Sequence, residues 1–314
     1  MIIKRPEIKD VRIIAQKYFS EDIKVEPVLK GCSTFVYRIT TDHRTYYIRF
    51  LPEEGSFASE VLVHEKLSDL GMKVPKVLYF EEKNEITNLS LMILDEIPGD
   101  CIEDKSPEDN LKEILIEAGR ELALLHTIPV NGFGWIDKKS HLMLKGEKLE
   151  FEDYFCEYLK YDLDQLRLYD FTEDEQNLIE KHMQAAASFV KVEDAVLVHG
   201  DFDISHIFHD SGNYSGIIDF GEVRGNTRLY DLAIFIGLYQ DEKSYSYLLE
   251  GYSQISNLSE DDLYSIELIA LSIIVRFLGK KVNHKYRNHW YKLAKRQLDR
   301  LETKRSVKTK MKLY

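Results

Sequence analysis

Residues 197–222 read LVHGDFDISHIFHDSGNYSGIIDFGE and concentrate His199, Asp201, Asp203, His206, His209, Asp210, Asp219 and Glu222 within 24 positions. The apolar run Ala195 to Val198 stops at His199-Gly200-Asp201, and Gly216 to Ile218 stops at Asp219-Phe220-Gly221. Side chains alternate between the faces of a strand, and loops at strand ends carry function, so this spacing predicts two strands that present an aspartate at the same end. Two carboxylates so placed suit a hard divalent cation. Asp and Gly also build ordinary turns, so the order of the groups matters more than either pair alone.

Outward from this segment, the chain changes character near residues 100–130. All seven prolines lie at or before Pro129, which leaves the remaining 185 residues free to form uninterrupted helices. Before that point KVEPVLK (24–30), TFVYRITT (34–41), TYYIRFL (45–51), KVLYFEE (76–82) and LSLMILDEI (89–97) stand between turn signals and predict strands. Between the third and fourth, SFASEVLVHEKLSDLG (56–71) has helical spacing and ends at Gly71, with Pro75 just beyond. SPEDNLKEILIEAGRELALLHTI (106–128) sets Ile114, Leu115, Ala118, Leu122 and Leu125 on one helical face, opened by Ser106 and Pro107. Further helices are predicted at 152–168, 173–191, 227–239, 243–255 and 260–302, with a hairpin around His209 and Asp210.

The 314 residues are 44% hydrophobic and 31% charged, which excludes disordered and collagen-like chains and leaves a soluble globular protein. Cys32, Cys101 and Cys156 are widely spaced and odd in number, which fits a reducing cytoplasm better than a disulfide scaffold. The opening MIIKRPEIKDVRII does not read as a secretory signal. The apolar run Leu268 to Val275 is ended by Arg276, well short of the roughly 18 residues that a membrane span needs, so no membrane partner is expected. Residues 280–314 carry 13 Lys and Arg against 2 acids, while the rest carries 29 against 52. So acidic a body repels nucleic acid and favours cationic small molecules. The basic end KRSVKTKMK reads as a solvated terminus.

His-Gly-Asp, then His206 five positions after Asp201, then Asp-Phe-Gly thirteen positions later is the order of a kinase catalytic loop and metal-binding loop. Here the sequence resembles the aminoglycoside phosphotransferase family over nearly its whole length, from Gly31 to Asp231, most strongly over 197–236. The resemblance implies an α+β, protein-kinase-like bilobal fold, with a small antiparallel-sheet lobe at 1–97, a hinge near 95–99 and a larger, mainly helical lobe at 98–314. It places Gly31, Ser33 and Thr34 of LKGCSTFVYRI near the nucleotide phosphates, and Arg49 where the family carries a phosphate-holding lysine, with Glu60 as its partner. Arginine keeps the charge but presents a planar fork. Asp95, Glu96 and Ile97 would be the purine-contacting hinge, with Leu94 limiting access behind the base. Asp201 would orient the attacking hydroxyl or accept its proton, and Asp219 would hold Mg²⁺ against the phosphates. His206 stands where many relatives carry a metal-binding asparagine. Histidine there resembles the branch that modifies the 2''-hydroxyl of gentamicin- and kanamycin-type drugs, and macrolide kinases. Asp231 would cap a helix and brace the catalytic loop, and His126 and His199 read as structural.

The function so implied is Mg²⁺-dependent transfer of the γ-phosphate of ATP or GTP to an aminoglycoside hydroxyl, by a cytoplasmic monomer or weak dimer. Asp203, Glu222, Asp241 and Glu242, with the acidic stretch Glu147 to Glu175, are candidates to hold a cationic acceptor. One fold hosts many acceptors. A kinase of a macrolide, sugar or amino-alcohol therefore stays open, as does a nucleotide-binding pseudokinase, which Arg49 and His206 would favour. A protein-serine kinase is disfavoured, because no Ala-Pro-Glu segment follows Asp219-Phe220-Gly221.

Overall fold

A computed structural model describes residues 3–29, 33–102, 110–190, 194–239, 241–280 and 285–311, with side chains except at 188, 189 and 304–311. Gly31, Gln240, and Ser106 and Pro107 at the expected opening of the 106–128 helix lie outside the described residues, as do all the side chains of the basic end KRSVKTKMK.

The N-terminal part is a five-stranded antiparallel sheet. Its strands β1 (Lys24–Val28), β2 (Phe35–Thr40), β3 (Thr45–Phe50), β4 (Val77–Glu81) and β5 (Leu91–Asp95) run in the order β1-β2-β3-β5-β4. Strand alternation decides what each face does. Tyr37, Ile39, Ile48, Phe50, Leu91 and Ile93 form one face and bury Val11, Ile14 and Ala15 of α1 (Ile8–Ala15). Met92 and Leu94 point the other way and pack with Leu51 and Phe57. Arg49, between Ile48 and Phe50, therefore emerges on the face of α2 (Ala58–Asp69), which carries Glu60.

After β5 the chain turns helical. A short strand β6 (Asp100–Cys101) leads to α3 (Leu111–Leu125), β7 (Pro129–Val130) and β8 (Gly134–Trp135). The helix expected at 152–168 is broken into α4 (Phe151–Cys156), α5 (Leu159–Gln165) and a 3-10 turn at Leu166–Leu168. Then come α6 (Glu173–Phe189), β9 (Ala195–Val198), β10 (Ile207–Asp210), β11 (Asn213–Ile217), β12 (Arg224–Asn226), α7 (Tyr230–Ile234), α8 (Glu242–Tyr252), α9 (Glu260–Lys280) and α10 (Arg287–Met311). α6 starts where a capping box holds it: Glu175 N–H donates to Thr172 Oγ1 at 3.2 Å and Thr172 N–H to Glu175 Oε2 at 2.9 Å. α3 and α8 touch backbone to backbone, because a Cβ on Gly251 would lie 1.9 Å from the Ile116 carbonyl oxygen. The helix expected at 227–239 is α7 followed by a π-helical turn, Phe235–Tyr239, packed on α9.

The two strands expected to share an end belong to different sheets. β9 sits in the order β7-β9-β12-β8, and β11 in β11-β10-β6. β10 and β11 form the hairpin, with His209 and Asp210 at its tip. One large core joins α3, α7, α8 and α9 to both small sheets, and a second packs α5, α6, α9 and α10. Fully buried Glu267 of α9 ties α10 down, accepting from Gln297 Nε2 at 2.7 Å and Arg300 Nη2 at 2.7 Å. The result is a bilobal α+β fold of the protein-kinase-like kind, and among the described residues no helix is long and apolar enough to cross a membrane.

Candidate active site

The loop after β9 is held from below. Asp231, fully buried in the first turn of α7, accepts from His199 N–H at 2.7 Å and Gly200 N–H at 2.9 Å, and His126 Nε2 donates to it at 3.0 Å. Burial alone would raise its pKa, but the hydrogen bond and charge of His126, together with His199 and the Gly200 amide, hold it below the ordinary aspartate range. Its side chain thus braces the loop, as expected, but does not cap α7, whose N-cap residue is Leu229.

Gly200 adopts φ +85°, and a Cβ there would lie 2.0 Å from the Glu222 carbonyl oxygen. The 199–201 loop and the 219–222 segment therefore meet backbone to backbone. Gly200→Ala combines a left-handed backbone penalty with this clash and is expected to cost about 3 kcal/mol or more of stability, measured by denaturant unfolding.

Two imidazoles set the loop's hydrogen-bond pattern. Buried His199 donates from Nε2 to the Ile218 carbonyl at 2.9 Å, which leaves Nδ1 to accept from Asp201 N–H at 3.4 Å. Burial and the neighbouring His206 push its pKa down, which favours the neutral ring. His206 donates from Nδ1 to the Asp201 carbonyl at 2.7 Å, which in the neutral ring leaves the lone pair on Nε2, 4.0 Å from Asp219 Oδ2.

Asp219 is held at φ +65° and ψ +67°, a conformation uncommon outside glycine. Partial burial pushes its pKa up, and Arg49, His206, His199 and the Gly221 amide outweigh that, so it stays an anion below the ordinary aspartate range. Asp201 is solvent-accessible at the foot of a concave surface. Partial desolvation pushes its pKa up, joined by the Asp203 and Asp219 charges and opposed by His206 and His199. One carboxylate is thereby biased to stay charged beside a cation, and the other towards holding a proton.

Arg49 links the sheet to this centre. It is nearly fully buried, pairs through Nη1 with Glu60, and places Nη2 at 3.6 Å from Asp219 Oδ1. Burial opposes the guanidinium charge, but the two carboxylates outweigh it. Two separate nitrogens serve two carboxylates, a geometry that a single ammonium cannot reproduce.

Two larger cavities flank the centre, with one of about 540 Å³ between them that shares Ser33, Thr34 and Arg49 with the sheet side and Trp135 and Glu222 with the helix side. One of about 630 Å³ lies beneath the five-stranded sheet, lined by Ser33, Thr34, Arg49, the 94–97 segment, His206 and Asp219. The other, of about 640 Å³, lies among the helices and is lined by Asp201, Glu222, Trp135, Tyr230, Arg224 and Arg276, among others. Asp201 and Asp219 thus open on neighbouring cavities and not on one, close enough to influence each other's ionisation. Both volumes suit small-molecule ligands.

The remaining expected residues divide. Glu96 accepts from the Tyr47 hydroxyl at 3.0 Å and Asp95 from the Lys76 amide, so both side chains are engaged, while Leu94 and Ile97 line the sheet-side cavity. Glu222 lies 3.3 Å from Arg224 at the helix-side cavity. Asp203 folds back onto its own turn, accepting from Ser205 N–H at 2.7 Å and Ser205 Oγ at 2.6 Å. Asp241 caps α8 through the Lys243 and Ser244 amides, and Glu242 pairs with Arg300. Neither Asp241 nor Glu242 is among the residues that line the helix-side cavity. Arg224 went unnoticed in the sequence. It stacks 4.1 Å from the Trp135 ring centroid and donates to the Gly200 and Glu222 carbonyls at 3.4 and 3.2 Å.

Among the described residues no group of three or more His, Cys, Asp or Glu side chains could hold a metal alone. That is compatible with Mg²⁺, which binds through one or two carboxylates plus phosphate oxygens and water. The donor set present, an anionic Asp219 faced by the free Nε2 of His206, fits such an ion.

The model of the phosphotransferase enzyme family (APH) matches residues 24–262, which span the sheet, the sheet-side cavity and the centre, and stop short of the α9 wall of the helix-side cavity. The chain belongs to this family. Homoserine kinase from Agrobacterium fabrum is 28% identical over 126 residues, covering 35% of this chain and 39% of that protein, so the match spans well under half of that relative. The aminoglycoside phosphotransferase APH(4)-Ia in complex with ADP and hygromycin B superposes with a TM-score of 0.67 at 16% identity, covering 93% of this chain and 96% of that one. Spectinomycin phosphotransferase APH(9)-Ia in complex with ADP and spectinomycin gives 0.62 at 12%, covering 93% and 95%. These structures share the fold of this member of the phosphotransferase family.

Proposed function

We propose that this chain transfers the γ-phosphoryl group of ATP or GTP to a hydroxyl of a small molecule. The observation that carries the proposal is the placement of Asp201 and Asp219 on neighbouring cavities, with His206 at the boundary and Arg49 reaching Asp219 from the sheet. In this reading the lobes divide at residues 95–99. The sheet-side cavity takes the nucleotide, its base against the 94–97 segment and its phosphates near Ser33, Thr34 and Arg49. The helix-side cavity takes the acceptor. Asp219 and His206 would hold Mg²⁺, which when bound neutralises charge on the transferring phosphates. Asp201 orients the acceptor hydroxyl and takes its proton, and its raised pKa suits that transfer. Glu60 keeps the Arg49 fork aligned.

An aminoglycoside acceptor, expected from the sequence, would need carboxylates with no other partner. Asp241, Glu242 and Asp203 are engaged elsewhere, Glu222 meets Arg224, and Glu157 lies 3.1 Å from Lys148. Glu147, which accepts from the Trp135 amide at 3.3 Å and has no cation partner among the described residues, and Asp201 are the acids of the helix-side cavity that remain open to a cationic acceptor. The test is nucleotide consumption by the purified chain with Mg²⁺ across a panel of hydroxyl compounds, with mass spectrometry for the phosphorylated product. Phosphoryl transfer to at least one acceptor supports a kinase, and nucleotide binding without transfer to any supports a pseudokinase. Arg49→Lys restores the family's usual lysine but releases one of two carboxylates, so the KM for nucleotide is expected to rise about tenfold.

A further inference from the structure

The wall of the sheet-side cavity is braced from behind. Strand β1 is an edge strand, paired only with β2, and its pairing ends at Val28 opposite Val36. The last pair of an edge strand frays unless something holds it. Here Arg5 does so: its Nη1 donates to the Val36 carbonyl at 3.2 Å and to the Val28 carbonyl at 3.4 Å, and its Nη2 donates to Val28 as well, at 3.4 Å. The guanidinium lies 5.2 Å from the Phe35 ring centroid and 5.5 Å from that of Tyr37. Those two rings belong to the face of the sheet that packs on α1. The buried Tyr37 hydroxyl donates to the Pro6 carbonyl and so ties down the residue that follows Arg5. Val36, between Phe35 and Tyr37, points the other way, and with Val28, Ser33 and Thr34 it lines the sheet-side cavity. Arg5 and the cavity thus lie on opposite faces of one strand pair.

We propose that Arg5 is a positioning residue for the nucleotide: from the far face of the sheet it holds Val28 and Val36 together, and with them the wall against which the nucleotide binds. This rests on the reading of the sheet-side cavity as the nucleotide site. Arg5 is not itself among the residues that line the cavity, so its effect passes through the strands. Ser33 and Thr34, expected near the phosphates, stand three and two positions before Val36 and are placed by it. A wall ordered before binding does not have to be ordered by the ligand, and that saving appears as affinity. Arginine suits the task, because its planar fork reaches two carbonyls at once and stacks on aromatic faces, whereas a lysine ammonium offers only a point charge.

The test is calorimetric titration of ADP with Mg²⁺ into the full chain and its Arg5→Ala and Arg5→Lys variants, with urea unfolding of each. ADP binding is expected to weaken about tenfold in Arg5→Ala and less in Arg5→Lys. In turnover with any acceptor that the screen identifies, the nucleotide KM is expected to rise by the same factor, while kcat and the acceptor KM change less than about twofold. A merely structural arginine would lower the unfolding midpoint and leave the nucleotide and acceptor constants moving together or not at all, and that result would overturn the inference. Equal ADP affinity in wild type and Arg5→Ala overturns it even where phosphoryl transfer proceeds. Should Arg5→Ala not fold, Tyr37→Phe, which releases Pro6 but keeps the ring, decides: ADP binding weakened about threefold supports the inference, and unchanged binding overturns it. A wild-type chain that binds no nucleotide overturns the reading of the sheet-side cavity, and the inference with it.

Discussion

Asp201→Asn is expected to lower turnover by about three orders of magnitude while changing nucleotide affinity less than twofold. The asparagine keeps the size of the side chain but can neither accept the hydroxyl proton nor offer two equivalent acceptor oxygens. Asp201 lines the helix-side cavity and is not part of the sheet-side wall, so in the proposed reading its charge acts on the acceptor and leaves the nucleotide's contacts in place. Steady-state kinetics with any acceptor identified by the screen, paired with calorimetric titration of ADP, separates the two effects. A parallel loss of kcat and nucleotide affinity would instead place Asp201 in the nucleotide site.

Asp231→Ala is expected to cost about 3–5 kcal/mol of stability. Three donors converge on this fully buried side chain, and alanine leaves the His199 and Gly200 amides and the His126 ring without an acceptor. Because the Asp231 pKa is depressed in the folded state, its contribution is present at neutral pH. It is lost as the pH falls through the folded-state value, below the ordinary aspartate range. Urea unfolding at pH 7 gives the size of the effect, and the gap between wild type and Asp231→Ala is expected to narrow only in strong acid.

Much of the site was legible because its chemistry is carried by short-range order. The spacing of Asp201, His206 and Asp219 survives folding as a cluster, since one loop and one hairpin bring them together. Arg49 meets Glu60, as the resemblance implied, because it alternates with Ile48 and Phe50 along β3 and so faces α2. What failed was long-range. Nothing local in Ala195 to Val198 and Gly216 to Ile218 says that the two strands belong to different sheets, because pairing partners are set by tertiary packing. Helical spacing at 152–168 did not reveal the break after Cys156, nor did the 227–239 pattern reveal a π-helical turn. The cations of the helix-side cavity were equally hidden. Arg276 is visible in the sequence only as the residue that ends an apolar run, Lys280 only as the first member of a basic tail, and Arg224 lies 52 positions before Arg276. Their meeting in one cavity, beside Glu147, Glu157, Asp162, Asp201 and Glu222, is set by tertiary packing and has no local signal.

The central claim is that Asp219 serves the metal and nucleotide while Asp201 serves the acceptor. Calorimetric titration of ADP, with and without Mg²⁺, into wild type, Asp219→Asn and Asp201→Asn tests it most directly. Mg²⁺ is expected to strengthen ADP binding in wild type and Asp201→Asn alike, and to make little difference in Asp219→Asn. A Mg²⁺ effect retained by Asp219→Asn, or lost with Asp201→Asn, would contradict the assignment of the two carboxylates.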